Sequence, residues 1–212
     1  MERTVKAVRE RCTILIAGSW NQEIFVPSWV RSVLGLDSQP TLNMILGNGV
    51  TFRLEWDETL LDVTPHQVLL SPAGFSDESF VAVEASAIRI LKRLSETPIR
   101  GLGVNFGFDI TEPPKTFDEL FNLSDDGLIS AVGAVVGFTT IARKLRVDNR
   151  LLNLTARRDG APGGPCKLDF NYHHDAKSAG DAIENLENHV LTLKANALEF
   201  AEKLYGLRAE AT

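Results

Sequence analysis

Hydrophobic and polar residues alternate with a strand period over much of the chain and switch to a helical period at a few well-marked places. Cys12 to Trp20 is rich in β-branched and apolar residues and is stopped by Asn21, as a buried strand would be. Pro27-Ser28 then opens a short helix over 28–34, closed near Gly35. A meander follows: strand 41–46, a Gly47-Asn48-Gly49 turn, strand 50–56, an Asp57-Glu58 turn, strand 59–64, and an edge-like run 66–70 after Pro65. In 50–56, Phe52, Leu54 and Trp56 share one face, while Thr51, Arg53 and Glu55 share the other. Ser76 or Asp77 caps a helix to about Glu96, with Phe80, Val83, Ala87, Leu91 and Leu94 at helical spacing. Thr97-Pro98 ends it, because the residue before proline is driven out of the helical region.

The second half follows the same order. Strand 99–110 places Val104, Phe106 and Phe108 on one face and Gly103 and Gly107 on the other. A short helix over 115–123 is predicted next, then strands 127–136, 138–147, 150–157 and 167–172, with a Gly/Pro loop at 160–165. The segment 129–136, ISAVGAVV, is apolar at both parities, which predicts cover on both faces. The last element is a helix from Ala176 or Ser178 to Tyr205, before Gly206. Its apolar residues Ala176, Ala179, Ile183, Leu186, Val190, Leu193, Ala197, Phe200, Leu204 and Leu207 keep a heptad rhythm. Such a helix would be about 42 Å long at ~1.5 Å per residue, longer than one repeat's sheet requires; its stripe is expected to cover its own sheet, with packing of the far end against another subunit as the alternative.

One stretch occurs twice. LEWDETLLDVT begins at Leu54, and LRVDNRLLNLT begins at Leu145 with Leu, Asp, Leu-Leu and Thr in register. Strand parity agrees too: Leu54 matches Leu145 and Leu61 matches Leu152, so each pair should face the same layer. The fold class expected is α+β, with two pseudo-symmetric β-α-β-β-β-β-α repeats joined edge to edge into one curved antiparallel sheet with helices on one face. The division is a polar arm at 1–11, a first repeat at 12–98 and a second at 99–212, packed as a single domain.

This duplicated order resembles the TATA-binding-protein-like superfamily in topology across nearly the whole chain. The DNA-binding members kink their target with phenylalanine pairs on the open sheet face. Here the corresponding positions are Thr51, Arg53, Glu55, Leu60, Asp62 and Thr64, then Ala142, Lys144, Arg146, Leu151, Asn153, Thr155 and Arg157. They contain no aromatic pair, so the resemblance implies a fold and not TATA-box recognition. The chain is also similar in general pattern to a sporadically distributed family of uncharacterised bacterial α+β proteins ending in a strand and a long helix.

Composition narrows the classes. With 212 residues, 44% hydrophobic and 24% charged, the chain is globular rather than disordered. A formal net charge of −6 argues against broad non-specific nucleic-acid binding. Cys12 and Cys166 form no CxxC pair, so two reduced thiols are expected rather than a zinc ribbon. The charged N-terminus and the lack of a membrane-length apolar run predict a cytoplasmic protein without membrane association.

Candidate chemistry is sparse. His173-His174-Asp175 could offer metal ligands, but no HxH or HExxH partner accompanies it, and Asp175 reads more simply as a turn or capping residue. Gly101, Gly103 and Gly107 miss the dinucleotide fingerprint and lie within a strand, where they point to close approach of neighbouring strands. No GxSxG elbow is present. The segment 143–158 is basic, with Arg143, Lys144, Arg146, Arg150, Arg157 and Arg158 against Asp148, while its counterpart 54–69 carries Glu55, Asp57, Glu58 and Asp62.

The expectation is therefore a non-enzymatic binding or scaffold protein, without a cofactor, acting through protein–protein association and oligomeric. Its partner would be another protein or a second copy of itself, a dimer being the simplest form. The alternative is a nucleic acid or acidic partner held by Lys144, Arg146, Arg150, Arg157 and Arg158.

Overall fold

The computed structural model describes residues 4–47, 49–147, 150–160 and 163–209. The expected turn residue Asn48, Asp148 of the basic segment, and Ala161-Pro162 of the Gly/Pro loop lie outside the described residues, as do the first three and last three residues.

The architecture is α+β, built on one ten-strand antiparallel sheet with six α-helices among the described residues. The strands are β1 (Thr4–Ala7), β2 (Thr13–Gly18), β3 (Thr41–Leu46), β4 (Val50–Trp56), β5 (Thr59–Thr64), β6 (Gln67–Ser71), β7 (Ile99–Ile110), β8 (Phe138–Val147), β9 (Arg150–Asp159) and β10 (Cys166–His174). An eleventh, β11 (Arg208–Ala209), runs parallel to β1. The helices are α1 (Pro27–Leu34), α2 (Asp77–Arg93), α3 (Lys115–Asp118), α4 (Asp126–Ala131), α5 (Ala179–Leu186) and α6 (Val190–Tyr205).

Across the sheet the order is β3-β4-β5-β6-β2-β7-β10-β9-β8. The stretch expected to be a polar arm contributes β1, which lies along the same edge of β7 as β2: Lys6 pairs with Asp109, and Thr13 pairs with Asn105 further along. A 3-10 turn over Arg9–Arg11 bridges β1 and β2.

One face of the sheet carries the core. Ile14 and Ile16 of β2, Leu61 and Val63 of β5, Phe106 and Phe108 of β7, and Phe170 and Tyr172 of β10 are all buried, alternating along each strand with residues that turn to the other face. Leu54 and Leu152 are fully buried on this same face, whereas Leu145, the expected counterpart of Leu54, is half-buried. The helices close over it. Ser76 caps α2 by accepting from the Ser79 N–H at 3.2 Å, and Phe80, Val83, Ala87 and Leu91 are buried beneath that helix. Lys194 of α6 reaches across to Asp77 at 2.7 Å, its ammonium lying over the Phe75 ring, which ties the first turn of α2 to the middle of α6. Asp57 and Glu58 both have positive φ, 43° and 61°, the geometry of a tight two-residue hairpin between β4 and β5.

Two expectations fail here, and each has an identifiable physical cause. Residues 127–136 do not form a strand: 126–131 are helix α4, terminated by Gly133 at φ 76°. The Gly133 N–H bonds the Ser130 carbonyl and the Ala134 N–H reaches back to Ile129, the hydrogen-bond pattern of a glycine-stopped helix end. Nor is the segment covered on both faces, since Val132 and Val135 are exposed, the latter at 92%.

The expected continuous C-terminal helix is broken at 187–189, where Asn188 takes φ 63°. Glu84 of α2 fixes the break, its carboxylate accepting from the N–H groups of Asn188 at 2.6 Å and Val190 at 3.2 Å. Beyond the break the buried residues are Val190, Leu193, Lys194, Ala197, Ala201 and Tyr205, an ordinary helical period facing the chain's own core. Leu204 of the heptad reading is exposed. Gly206 then ends α6 in the left-handed conformation.

Candidate association surface

The outermost strand on the first-half side is β3, and nothing among the described residues pairs with its outer edge. Register with β4 sets Leu42 opposite Leu54, Met44 opposite Phe52 and Leu46 opposite Val50, which puts Leu42, Met44 and Leu46 on the helix face of the sheet. The helices do not extend that far. All six residues of β3 are exposed, Met44 at 68% and Leu46 at 80%. The strand TLNMIL carries no charge. An uncharged, two-sided edge of this kind offers its unpaired N–H and C=O groups to any incoming strand.

The opposite edge, β8, is built differently. Arg143, Lys144 and Arg146 are all exposed along it, and none makes an ion pair with a described residue. Charged side chains along an edge strand discourage strand addition. The two edges of one sheet are thus unequal: β8 is guarded and β3 is not.

The expected basic cluster is split by the pleat of β9. The register places Arg157 opposite Thr140, Asn153 opposite Lys144, and Leu151 opposite Arg146, so Lys144, Arg146 and Arg157 share the open face. Arg150 and Arg158 belong to the other parity. Arg158 is buried, bonded to Asp118 at 3.1 Å with its guanidinium over the Phe121 ring, so it is part of the core's margin and not of a binding surface. Arg157 bonds Asp159 at 2.7 Å and lies over Phe138. Arg150 lies near Tyr172 and His174 on the helix side. What remains exposed for a partner on the open face is Lys144 and Arg146. In the first half, Asp62 is held by Arg53 through two bonds at 2.7 and 2.6 Å.

The middle of the open face is occupied by a row of side-chain amides that the sequence pattern does not single out. Asn153 donates to Asn171 at 2.8 Å, Asn171 to Asn105 at 2.6 Å, and Asn105 to the Thr13 hydroxyl at 2.9 Å, crossing β9, β10, β7 and β2. The glycines of β7 make room beside this row. A Cβ on Gly103 would lie 3.1 Å from the Asn171 amide nitrogen, and one on Gly101 would lie 3.3 Å from the His173 ring. One on Gly107 would come within 2.4 Å of the Arg11 Cβ, because Arg11 arches over that glycine to bond Asp109 at 2.6 Å and Asp169 at 3.2 Å. Burial pushes the Asp169 carboxyl above its ordinary value, opposed by Arg11.

The histidine pair is divided by the same alternation. His173 lies on the open face with Nε2 at 3.3 Å from Asp175, whereas His174 is buried on the helix face. Burial, and next the charge of Arg150, lowers the His174 pKa. No group of three His, Cys, Asp or Glu side chains suited to a metal ion occurs among the described residues. Cys12 and Cys166 are free, buried thiols, each pushed up to about 11 chiefly by desolvation. No helix among the described residues is long and apolar enough to cross a membrane.

The chain matches no protein-family model, and no curated protein matches its sequence.

Proposed function

We propose that this chain is a non-enzymatic binding or scaffold protein that works through protein–protein association and is oligomeric. The observation that carries the proposal is β3, an exposed and uncharged sheet edge whose apolar residues extend past the helical layer. Partner recognition by strand addition draws affinity from main-chain hydrogen bonds and specificity from alternate side chains, and β3 has both available. Light scattering over a wide concentration range tests it: a species larger than one chain is the expected result, and a clean monomer at high concentration that also binds no protein partner removes the proposal.

The proposal includes the internal duplication and the TATA-binding-protein-like topology. It is supported by a sheet order in which β2 and β7 are central neighbours, each followed in sequence by short helical segments, a meander and closing helices. The halves differ where α4 stands in place of the first meander strand of the second half.

Lys144 and Arg146, exposed on the open face beside the amide row, favour a second reading as a site for nucleic acid or another acidic partner. In that case Lys144→Glu and Arg146→Glu weaken binding, and affinity falls steeply with salt. No binding of single- or double-stranded oligonucleotides at low salt eliminates the nucleic-acid form of this reading.

A further inference from the structure

We infer that the occupant of the β3 edge is a second copy of this chain, its β3 running antiparallel to the first across a two-fold axis. This rests on the association reading above and specifies its partner and geometry.

Three features select a second copy. The edge is self-complementary: its unpaired backbone groups are matched by the same groups on an identical antiparallel strand. It is also neutral, so two chains that each carry a net charge of −6 meet without like charges at the contact. The neighbouring Arg53 and Asp62 neutralise one another. Finally, the apolar residues on the uncovered helix side of β3 need apolar neighbours, and the same residues of the second copy provide them. The other exposed apolar segment, around Val132 and Val135, follows α4 as turn and irregular chain and not as a strand, so it offers no ladder of backbone groups to match β3.

Register follows from the pleat. Directly opposed residues of an antiparallel pair project to the same face, so an alignment is acceptable only if like faces meet. Placing Met44 on the two-fold axis sets Met44 against Met44 of the partner subunit and Leu42 against Leu46 of the partner subunit. All three uncovered apolar residues of each strand are then used. An axis at Asn43 would leave Leu46 against Pro40 and waste the most exposed of them. The sheet continues through the axis from one subunit into the other, and the guarded β8 edges become its two ends.

The test combines charge and cross-linking. Met44→Lys opposes two ammonium groups at the axis, on a residue exposed in the single chain and therefore not needed for its folding. The expected result is a wild-type dimer, a monomeric Met44→Lys with an unchanged far-ultraviolet spectrum, and a dimeric Val135→Lys control. Met44→Cys should form a covalent dimer under mild oxidation while Val135→Cys does not, the native Cys12 and Cys166 being buried. A wild-type assembly that survives Met44→Lys and does not cross-link through Met44→Cys overturns the β3 pairing and leaves the association reading standing. An assembly dispersed by Val135→Lys does the same. A wild-type chain that is monomeric at every concentration and takes no protein partner overturns both.

Discussion

The Asn171 side-chain amide donates to the Asn105 carbonyl oxygen at 2.6 Å, across the seam between β10 and β7. Asn171 also accepts from Asn153 at 2.8 Å, so it is the middle link of a chain that runs from one half of the sheet into the other. Both of its bonds are half-buried, and removing it leaves a donor on one side and an acceptor on the other. Asn171→Ala should therefore cost about 1–2 kcal/mol. Urea unfolding checks this, with the midpoint shifting at constant slope.

Gly107 is required because Arg11 crosses directly above it. Gly107→Ala places a methyl group against the Arg11 Cβ, near the base of that side chain, where a flexible end cannot simply swing away. A loss of about 1–3 kcal/mol is expected, with weakening of the Arg11 bonds to Asp109 and Asp169. Gly127 gives the contrast. It lies in α4, and a methyl group added there would meet nothing within 4 Å, so Gly127→Ala should stabilise by about 0.4–1 kcal/mol. Thermal melting of the two variants side by side measures both signs.

Glu84 holds the junction between α5 and α6. Its two oxygens accept from the N–H groups of Asn188 and Val190, at the N-terminal end of α6, where a negative charge is also favoured by the helix dipole. Glu84→Ala should lose about 1–2 kcal/mol. Amide hydrogen exchange locates the effect: protection should fall first over 188–193, and an even loss across the sheet would contradict the capping role.

The legibility of this chain follows from which interactions are local. Alternation marked β4, β5, β7 and β9 and assigned the correct face to Arg53, Asp62, Lys144 and Asn153, because side-chain parity is fixed once a strand exists. Turn chemistry at Asp57-Glu58 and the stop at Gly206 were equally readable. One failure arises where a partner distant in sequence decides, the other at a glycine inside an apolar run. The break in the last helix depends on Glu84, far away along the chain, and the heptad rhythm continues through it undisturbed. The apolar run 129–136 looks buried in sequence, but Gly133 makes a helix stop of it.

The surface features were hidden for a similar reason. TLNMIL reads as an ordinary strand, and only the sheet order reveals that it is the last one and lies beyond the helices. Asn105, Asn153 and Asn171 are far apart in sequence, and their convergence appears only once β9, β10 and β7 are in register. The basic cluster was legible in charge and in parity, which sends Arg150 and Arg158 to the opposite side from Lys144, Arg146 and Arg157. Its pairing was not legible: Arg158 is taken up by Asp118, distant in sequence, and Arg157 by Asp159.

His174 makes stability depend on pH with a defined sign. It is buried at the end of β10, faced by Asn185 of α5, with Arg150 of β9, His173 and His189 nearby. Desolvation, and then the Arg150 charge, lowers its pKa in the folded chain below the ordinary 6.5. Below pH 6.5 the unfolded chain therefore binds a proton that the folded chain resists. The contribution of His174 is intact above 6.5 and is lost as pH falls from there toward the lower folded value. The limiting slope for one proton is about 1.4 kcal/mol per pH unit. His174→Gln keeps a hydrogen-bonding side chain but cannot titrate, so its stability should fall less than that of the wild type as pH drops below 6.5. The raised pKa of Asp169 acts in the opposite sense, but it is common to both proteins and cancels in the difference. Urea titrations at closely spaced pH values provide the comparison, and parallel curves for the two proteins would show that the His174 charge has no part in acid sensitivity.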